Sequence, residues 1–569
     1  MLDGINGAAN RVNGGDLLDE GVNVDDGVDL GTRCCCEVTG LWRLLLVNEV
    51  RNSAINTFTG SKYSPSPSLK HHSSMEAPSW LLLSVAWLAS LTILSTIFIS
   101  RRCKQLKFPP GPKPWPIIGN LNLIGSLPHQ SLHKLSQRYG PLMHLKFGSY
   151  PLVVASSVEM AAEFLKSHDQ IFATRPPHAA GKYTAYNYSD ILWAPYGPHW
   201  RQGRKIYQNE LFSSKRLESF EYIRVEEMRA FVSRLYGLSG KPVVLIGHLT
   251  RLTLSNISRM VLGNKYFDVS GDDRNVSKSI VSLQELQSFK RLSGYVKRMK
   301  TLKKKLDRFH DHVFDEHKRK KEELGKDFVA QDMVDLLLQL ADDPDLDVKL
   351  TYDAVRGLTV DLVTGGTDTT AVTVEWVISE LMKQPQLITK ATQELDRVIG
   401  RERWVEERDI PQLPYLDAIM KETMRKHSVA PLLAPHMAME DCKVAGYDIR
   451  KGTRVFINTW SIGRDPSLWE QPEEFRPERF LGRNIDVKGR SFELLPFGAG
   501  RRMCPGYNLG LKMIQLSIAN LLQAFNWKLP GNMKVEDLSM EEAPGITAPR
   551  KFPLVAILEP RLPLHLYEL

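Results

Sequence analysis

A mainly helical α+β fold in one large domain is expected for this chain, and three observations carry that expectation. Stretches at Leu302 to Glu323, Tyr352 to Lys383 and Pro385 to Val398 have helical periodicity, the last with its proline at the tolerated first position. Short strand-like runs, Gly140 to Gly148 and Thr453 to Asn458, supply only a minor sheet. No repeat divides the 569 residues, and 43% hydrophobic content suffices for a large core.

Along the chain, residues 1–74 come first and are rich in Gly, Asn and Asp. Seven acidic residues against Arg11 alone in the first 32 positions are unlike an acid-poor transit peptide. This stretch is expected to be an atypical, disordered extension, with Met75 as the native start. Trp80 to Ile99 is uncharged and mostly apolar; as a helix it rises about 30 Å, the depth of a hydrocarbon core. A cleavable signal peptide competes, but its apolar run is shorter and no small-residue cleavage site follows here. Arg101, Arg102, Lys104 and Lys107 come next, so the positive-inside rule puts everything downstream in the cytosol. Residues 75–108 are therefore read as a membrane anchor with its basic stop, and 109–569 as the globular domain. Pro109 to Pro116 cannot be helical and forms a stiff hinge. The sequons at Asn187, Asn256 and Asn275 would face the cytosol and stay unglycosylated.

Within the domain, Trp200 and Arg204 stand at i and i+4, which puts two donors on one helix face. Alone, that pair reads as a core tryptophan under a surface arginine. Gly365 and Gly366 interrupt a long apolar helix at about 1 kcal/mol each, beside threonines that can bond carbonyls one turn back. Either the helix is distorted there for a functional reason, or a neighbouring helix crosses closely. Glu422 and Arg425, at i and i+3, form a natural bidentate pair. An isolated pair of this kind is usually solvated, but Arg479 downstream favours a buried network.

Six cysteines include only Cys442 and Cys504 in the globular domain, so no disulfide framework is expected. Cys504 lies in Pro496-Phe-Gly-Ala-Gly-Arg-Arg-Met-Cys-Pro-Gly506, ahead of an amphipathic stretch from Leu509 to Phe525. A thiol ionises beside cations, a helix N-terminus or iron. Gly498, Gly500 and Gly506 let a flat macrocycle approach the backbone, and Arg502 offers a cation to a carboxylate. A lone cysteine would otherwise read as a small buried hydrophobe. The formal charge of +9 raises nucleic acid as a partner, but the basic clusters Lys297 to Lys305 and Lys318 to Lys321 alternate with acids, as on a solvated helix face. No nucleic-acid role is expected. A basic surface near Cys504 would suit an acidic redox partner.

Phe497-x-x-Gly500-x-Arg502-x-Cys504-x-Gly506 resembles the signature of the cytochrome P-450 haem-thiolate monooxygenases, and with Arg501 and Pro505 it is similar to the plant microsomal A-type members. Glu422-Thr-Met-Arg425, Phe475 to Phe480 and Trp200-x-x-x-Arg204 resemble the family's other motifs, in the family's order. The resemblance implies the cytochrome P-450 fold behind a single N-terminal transmembrane helix. It implies haem b ligated by Cys504, a turn shaped by Phe497, Gly500 and Gly506, and propionate contacts from Trp200, Arg204, Arg502 and His436. Glu422, Arg425 and Arg479 become a network for folding and haem retention. Thr369 and Asp368 become the catalytic pair, a general-acid relay for reductive activation of O2. Electrons would come from NADPH through NADPH-cytochrome P-450 reductase at the endoplasmic reticulum membrane, with no obligate oligomer.

The run from Glu493 to His565 resembles flavonoid 3′-hydroxylases and homoterpene-forming oxidases, which implies insertion of one oxygen atom into a lipophilic terpenoid or phenylpropanoid. The same family alignment puts the pocket lining at Tyr183 to Leu192, Asp361 to Gly365, Val429 to Leu433 and Gly545 to Thr547, with Tyr183, Tyr186 and Tyr188 as polar handles. Two departures stand out. Asp268 to Tyr295 is shortened where relatives have an apolar helix and a loop, and Ser428 stands where proline is usual. The first motivates an alternative: a haem-binding member that no longer hydroxylates. A peroxide-rearranging member is a third reading, against which Asp368 and Thr369 argue because that reaction needs no proton relay.

Overall fold

A computed structural model describes residues 79–102, 106–266 and 295–568. The chain divides into two units, ending and beginning at Leu106 and Lys107. Of the first, the described part is one helix, α1 (Ser79–Arg102), with Trp80, Leu83, Trp87 and Leu88 exposed along it. Among the described residues, which omit part of α1's side chains, no helix is long and apolar enough to cross a membrane. The extension at 1–74, the start at Met75, the sequon at Asn275 and nearly all of the shortened segment lie outside the described residues.

The second unit begins with segment 107–123, held to the globule by backbone bonds: the amide of His144 donates to Pro110, and that of Asn120 to Lys146. Next, α2 (Pro128–Tyr139) leads into β1 (Leu142–Phe147) and β2 (Tyr150–Ala155), an antiparallel hairpin turned by Gly148 at positive φ. Helices α3 (Pro198–Ile206) and α4 (Glu221–Tyr236) follow, then β3 (Pro242–Val244) and α5 (Leu245–Leu262). Beyond the gap come α6 (Tyr295–Leu324), α7 (Met333–Asp342), α8 (Tyr352–Lys383), α9 (Pro385–Val398) and α10 (Pro414–Lys426). The C-terminal part adds β4 (His436–Met437), β5 (Cys442–Val444), β6 (Tyr447–Ile449), β7 (Arg454–Ile457), α11 (Tyr507–Ala524), β8 (Phe525–Lys528) and β9 (Val555–Pro560). Strands lie in the orders β1-β2-β7-β4, β3-β9-β8 and β5-β6, with β2 and β7 parallel.

The expected α8 and α9 have the bounds read from the sequence, because their ends are set locally. Thr351 caps α8 by accepting the Ala354 amide, and Pro385 opens α9. Helix α8 is buried along most of its length and packs between α5 and α11, with Trp376 fully enclosed. It is one continuous helix through Gly365 and Gly366, and the threonines bond back as expected: Thr364 to Val360, Thr367 to Val363 and Thr369 to Gly365. A Cβ on Gly366 would lie 2.8 Å from the side chain of Ile257 on α5, whereas one on Gly365 would meet nothing within 4 Å. The close crossing therefore explains Gly366. Gly365 opens onto a cavity instead.

Candidate functional site

A cavity of about 390 Å³ lies among α3, α5, α8, α11 and the turn before α11. Its lining is mostly apolar, from Ile191, Leu192, Phe212, Ile257, Leu362, Val429 and Leu433, and it includes Cys504, Thr369 and a group of basic side chains.

The turn that carries Cys504 is fixed by its backbone. Gly498 and Gly500 have φ of +68° and +69°, and a Cβ at Gly500 would lie 2.2 Å from the carbonyl oxygen of Leu165, so no other residue fits there. The Cys504 amide donates to the Phe497 carbonyl at 2.9 Å. Cys504 is half-buried on the cavity wall, and burial raises its thiol pKa despite the opposing Gly506 amide and Arg204 guanidinium. The sequence offered cations, a helix N-terminus and iron as means of ionising it. Without a metal the first two are outweighed, so coordination itself must displace the proton.

Arg175, Arg204 and Arg502 all line the cavity. Arg502 donates to the carbonyls of Ala173, Ile191 and Ala194 and lies 4.4 Å from the centre of the Trp200 ring. The Trp200 indole N–H donates to Ile191 at 3.1 Å, and Arg204 donates to Met503. Arg175 donates to Leu192, Ala434 and Pro435. Burial, then repulsion from Arg175, brings Arg502 down to about 8; burial brings Arg175 to about 10. Arg175 carries no motif in the sequence, and it is the residue that reading missed. His436 also lines the cavity, but burial, then Arg175, keeps its imidazole neutral, with Nδ1–H donating to Phe172 at 2.9 Å.

This set fits a haem. Three guanidinium groups, Arg175 buried and Arg204 and Arg502 half-buried, line this end of the cavity, and Asp190 is the carboxylate that offsets Arg175 and Arg502. The excess positive charge at one part of an otherwise apolar cavity matches two propionates, and Cys504 supplies the thiolate.

Thr369 lies on the cavity wall with its Oγ1–H donating to Gly365 at 2.9 Å. Asp368 is half-buried and off the lining. Of the expected pocket residues, Ile191, Leu192, Asp361, Leu362, Thr364, Gly365, Val429, Ala430 and Leu433 line the cavity. The tyrosines correct the expectation: Tyr183, Tyr186 and Tyr188 pack with α6, Tyr186 pairing with His310 and Tyr188 donating to His178. Gly545 to Thr547 also lie off the lining.

Glu422, Arg425 and Arg479 form the expected buried network. Arg425 meets both Glu422 oxygens at 2.7 and 2.8 Å, Arg479 adds a bond of 3.0 Å, and the Arg476 amide a fourth of 2.8 Å. Spare N–H groups reach the carbonyls of Gly463, Pro472 and Glu474. Ser428, the departure from proline, is satisfied by Thr459 at 2.9 Å. Asn256 lies inside α5 and is buried, which excludes glycosylation of that sequon in the folded chain.

Comparison with known proteins places these features in context. The family profile described as Cytochrome P450 matches residues 109–554. Trimethyltridecatetraene synthase of Zea mays is 46% identical over 82% of this chain and 91% of its own length. Flavonoid 3'-monooxygenase of Petunia hybrida is 43% identical over 87% of this chain and all of its own. A zebra fish cytochrome P450 solved with abiraterone superposes with a TM-score of 0.67 at 28% identity, over 77% of this chain and all of that one.

Proposed function

We propose, on the premise that the chain belongs to the cytochrome P450 monooxygenase family, that it inserts one oxygen atom from O2 into a lipophilic plant metabolite of the terpenoid or phenylpropanoid class. Family membership implies a haem iron; the finer reading adds haem b, with electrons from NADPH through a reductase. One observation carries the proposal: a free thiol, Cys504, on the wall of an apolar cavity that also presents three arginines and the Thr369 hydroxyl.

In this reading Cys504 ligates the iron, and Arg175, Arg204 and Arg502 hold the propionates, with Trp200 stacked under Arg502. The bound haem supplies oxygen activation, aided by electron donation from the thiolate. Thr369 holds a proton at Oγ1 on the cavity wall, and Asp368 resupplies it from the solvent side. Ile191, Leu192, Ile257, Leu362 and Leu433 exclude water and orient an apolar substrate. Helix α1 anchors the protein in the endoplasmic reticulum membrane by one pass, with the catalytic unit in the cytosol; its apolar sequence and the basic residues after it support this.

The test is expression from Met75 with a plant reductase, followed by a reduced carbon monoxide difference spectrum and NADPH-dependent turnover of terpenoids and flavonoids. A thiolate-type band with turnover is expected. A band without turnover on any lipophilic substrate would favour the hydroxylation-deficient alternative, and failure to take up haem would overturn both.

A further inference from the structure

Three buried polar side chains meet where α6 passes the start of α7. His317 on α6, Asp332 at the N-cap of α7 and Asp335 in its first turn are 6, 3 and 2% exposed. One ligand atom from each lies within 4.8 Å of the other two. The carboxylates are fixed by the helix start: Asp332 Oδ1 accepts the Asp335 amide at 2.9 Å, and Asp335 Oδ2 accepts the Gln331 amide at 3.0 Å. Each therefore keeps one oxygen towards His317. Asp332 Oδ2 lies 3.0 Å from Nε2, and Asp335 Oδ1 lies 4.0 Å from it.

The imidazole is oriented as well. Its Nδ1–H donates to the Val313 carbonyl at 2.7 Å; a carbonyl can only accept, so Nε2 holds either one proton or a lone pair. A single proton there satisfies Asp332 alone. Among the described residues Asp335 Oδ1 has no hydrogen-bond partner, and neither aspartate has a lysine or arginine in ion-pair reach. A buried carboxylate oxygen without a partner is costly. A divalent cation in place of that proton meets both carboxylates at once and balances their two charges.

We propose that His317 Nε2, Asp332 Oδ2 and Asp335 Oδ1 ligate one divalent ion of the zinc type, which ties α6 to the first turn of α7. A borderline metal accepts this mixed nitrogen and oxygen set, whereas calcium and magnesium favour oxygen alone. Tetrahedral zinc spaces its ligand atoms about 3.3 Å apart, so the closer pair fits as it stands and a small rotation of Asp335 brings in the third. The Nδ1–H bond to Val313 is the outer support that a ligating histidine uses. The fourth position opens on a cavity of about 240 Å³ lined by His317 and Asp332, where water completes the shell. Gly263 keeps this side clear. Its φ of +75° already calls for glycine, and a Cβ there would lie 2.5 Å from Asp332 Oδ2.

The test uses the full chain without a histidine tag, carrying Cys34→Ser, Cys35→Ser and Cys36→Ser so that no thiol cluster competes. After treatment with a chelator it is titrated with Zn2+ alone by calorimetry, and the zinc-loaded protein is studied by X-ray absorption at the zinc edge. One ion per chain is expected, in a shell of oxygen and imidazole nitrogen without sulfur, together with an unfolding midpoint that rises with zinc. Asp335→Asn keeps the shape of the side chain and is expected to weaken binding by more than about tenfold, the loss that even an outer-shell change causes. Unchanged affinity in that variant would assign the zinc to other groups and overturn the site. If the variant does not fold, the parent decides alone: a shell containing sulfur, or no zinc uptake, leaves His317 as an ion-pair partner of Asp332 only and overturns the proposal. Zinc binding here is independent of haem, so a failure to take up haem would sink the proposed function and leave this result in place.

Discussion

Burial raises the Cys504 thiol against the opposing Gly506 amide and Arg204 guanidinium. Cys504→Ser is expected to abolish the thiolate-type band in the reduced carbon monoxide spectrum; an unchanged band would exclude Cys504 as ligand. At Thr369, replacement by valine preserves shape and removes the proton. Turnover should fall by about 10²–10⁴-fold while the substrate-induced spectral shift stays in place, which separates proton delivery from binding. The residue types at this site were legible in the sequence because the glycines, cysteine and arginines each have a chemical reason to occur together. Their bonding was not. Arg502 and Trp200 send their N–H groups to the carbonyls of Ala173, Ile191 and Ala194, and a carbonyl carries no signature in a linear sequence. Arg175 was invisible for the same reason.

Among the elements, α8 shows how two adjacent glycines divide their work. Gly366→Ala drives a methyl into Ile257 and is expected to destabilise by about 1–3 kcal/mol, with the loss read as a lower unfolding midpoint. Gly365→Ala has open space and should leave the midpoint equal or higher, since alanine gains about 1 kcal/mol in a helix. Equal losses at both positions would refute the division. In the network below α10, Glu422→Ala leaves two guanidinium groups buried without their carboxylate, a loss of about 3–5 kcal/mol that chemical denaturation can measure. The start of α9 was readable because Pro385 acts on its own chain neighbours. Strand partners were not, since β1 and β7 could be drawn from the sequence without any indication that β2 would lie between them.

For the molecule as a whole, two buried carboxylates set the acid limit. Burial pushes Glu380 and Glu542 up, but His427 and Lys426 hold the first down at about 2, and His129, Arg464 and Gln130 hold the second there. Because these values lie below the unfolded one, the stabilisation is complete at neutral pH and is lost as pH falls from about 4.5 towards 2. Glu542→Gln should lower neutral stability and flatten the acid limb of the unfolding curve. Deleting residues 1–106 should leave a unit that folds, since all three sheets lie beyond Lys107, and under the proposed anchoring it should stay in the supernatant when the full chain sediments with membranes. The parallel pairing of β2 with β7 sets a different limit, on manufacture. Leu152 finds its partner Arg454 about 300 residues later, which at ribosomal speed is a delay of about 15–60 s. Through that interval the hairpin of β1 and β2 offers an open edge to any other nascent chain, so yield in a heterologous host should depend more on chaperone supply and translation rate than on the stability of the finished protein.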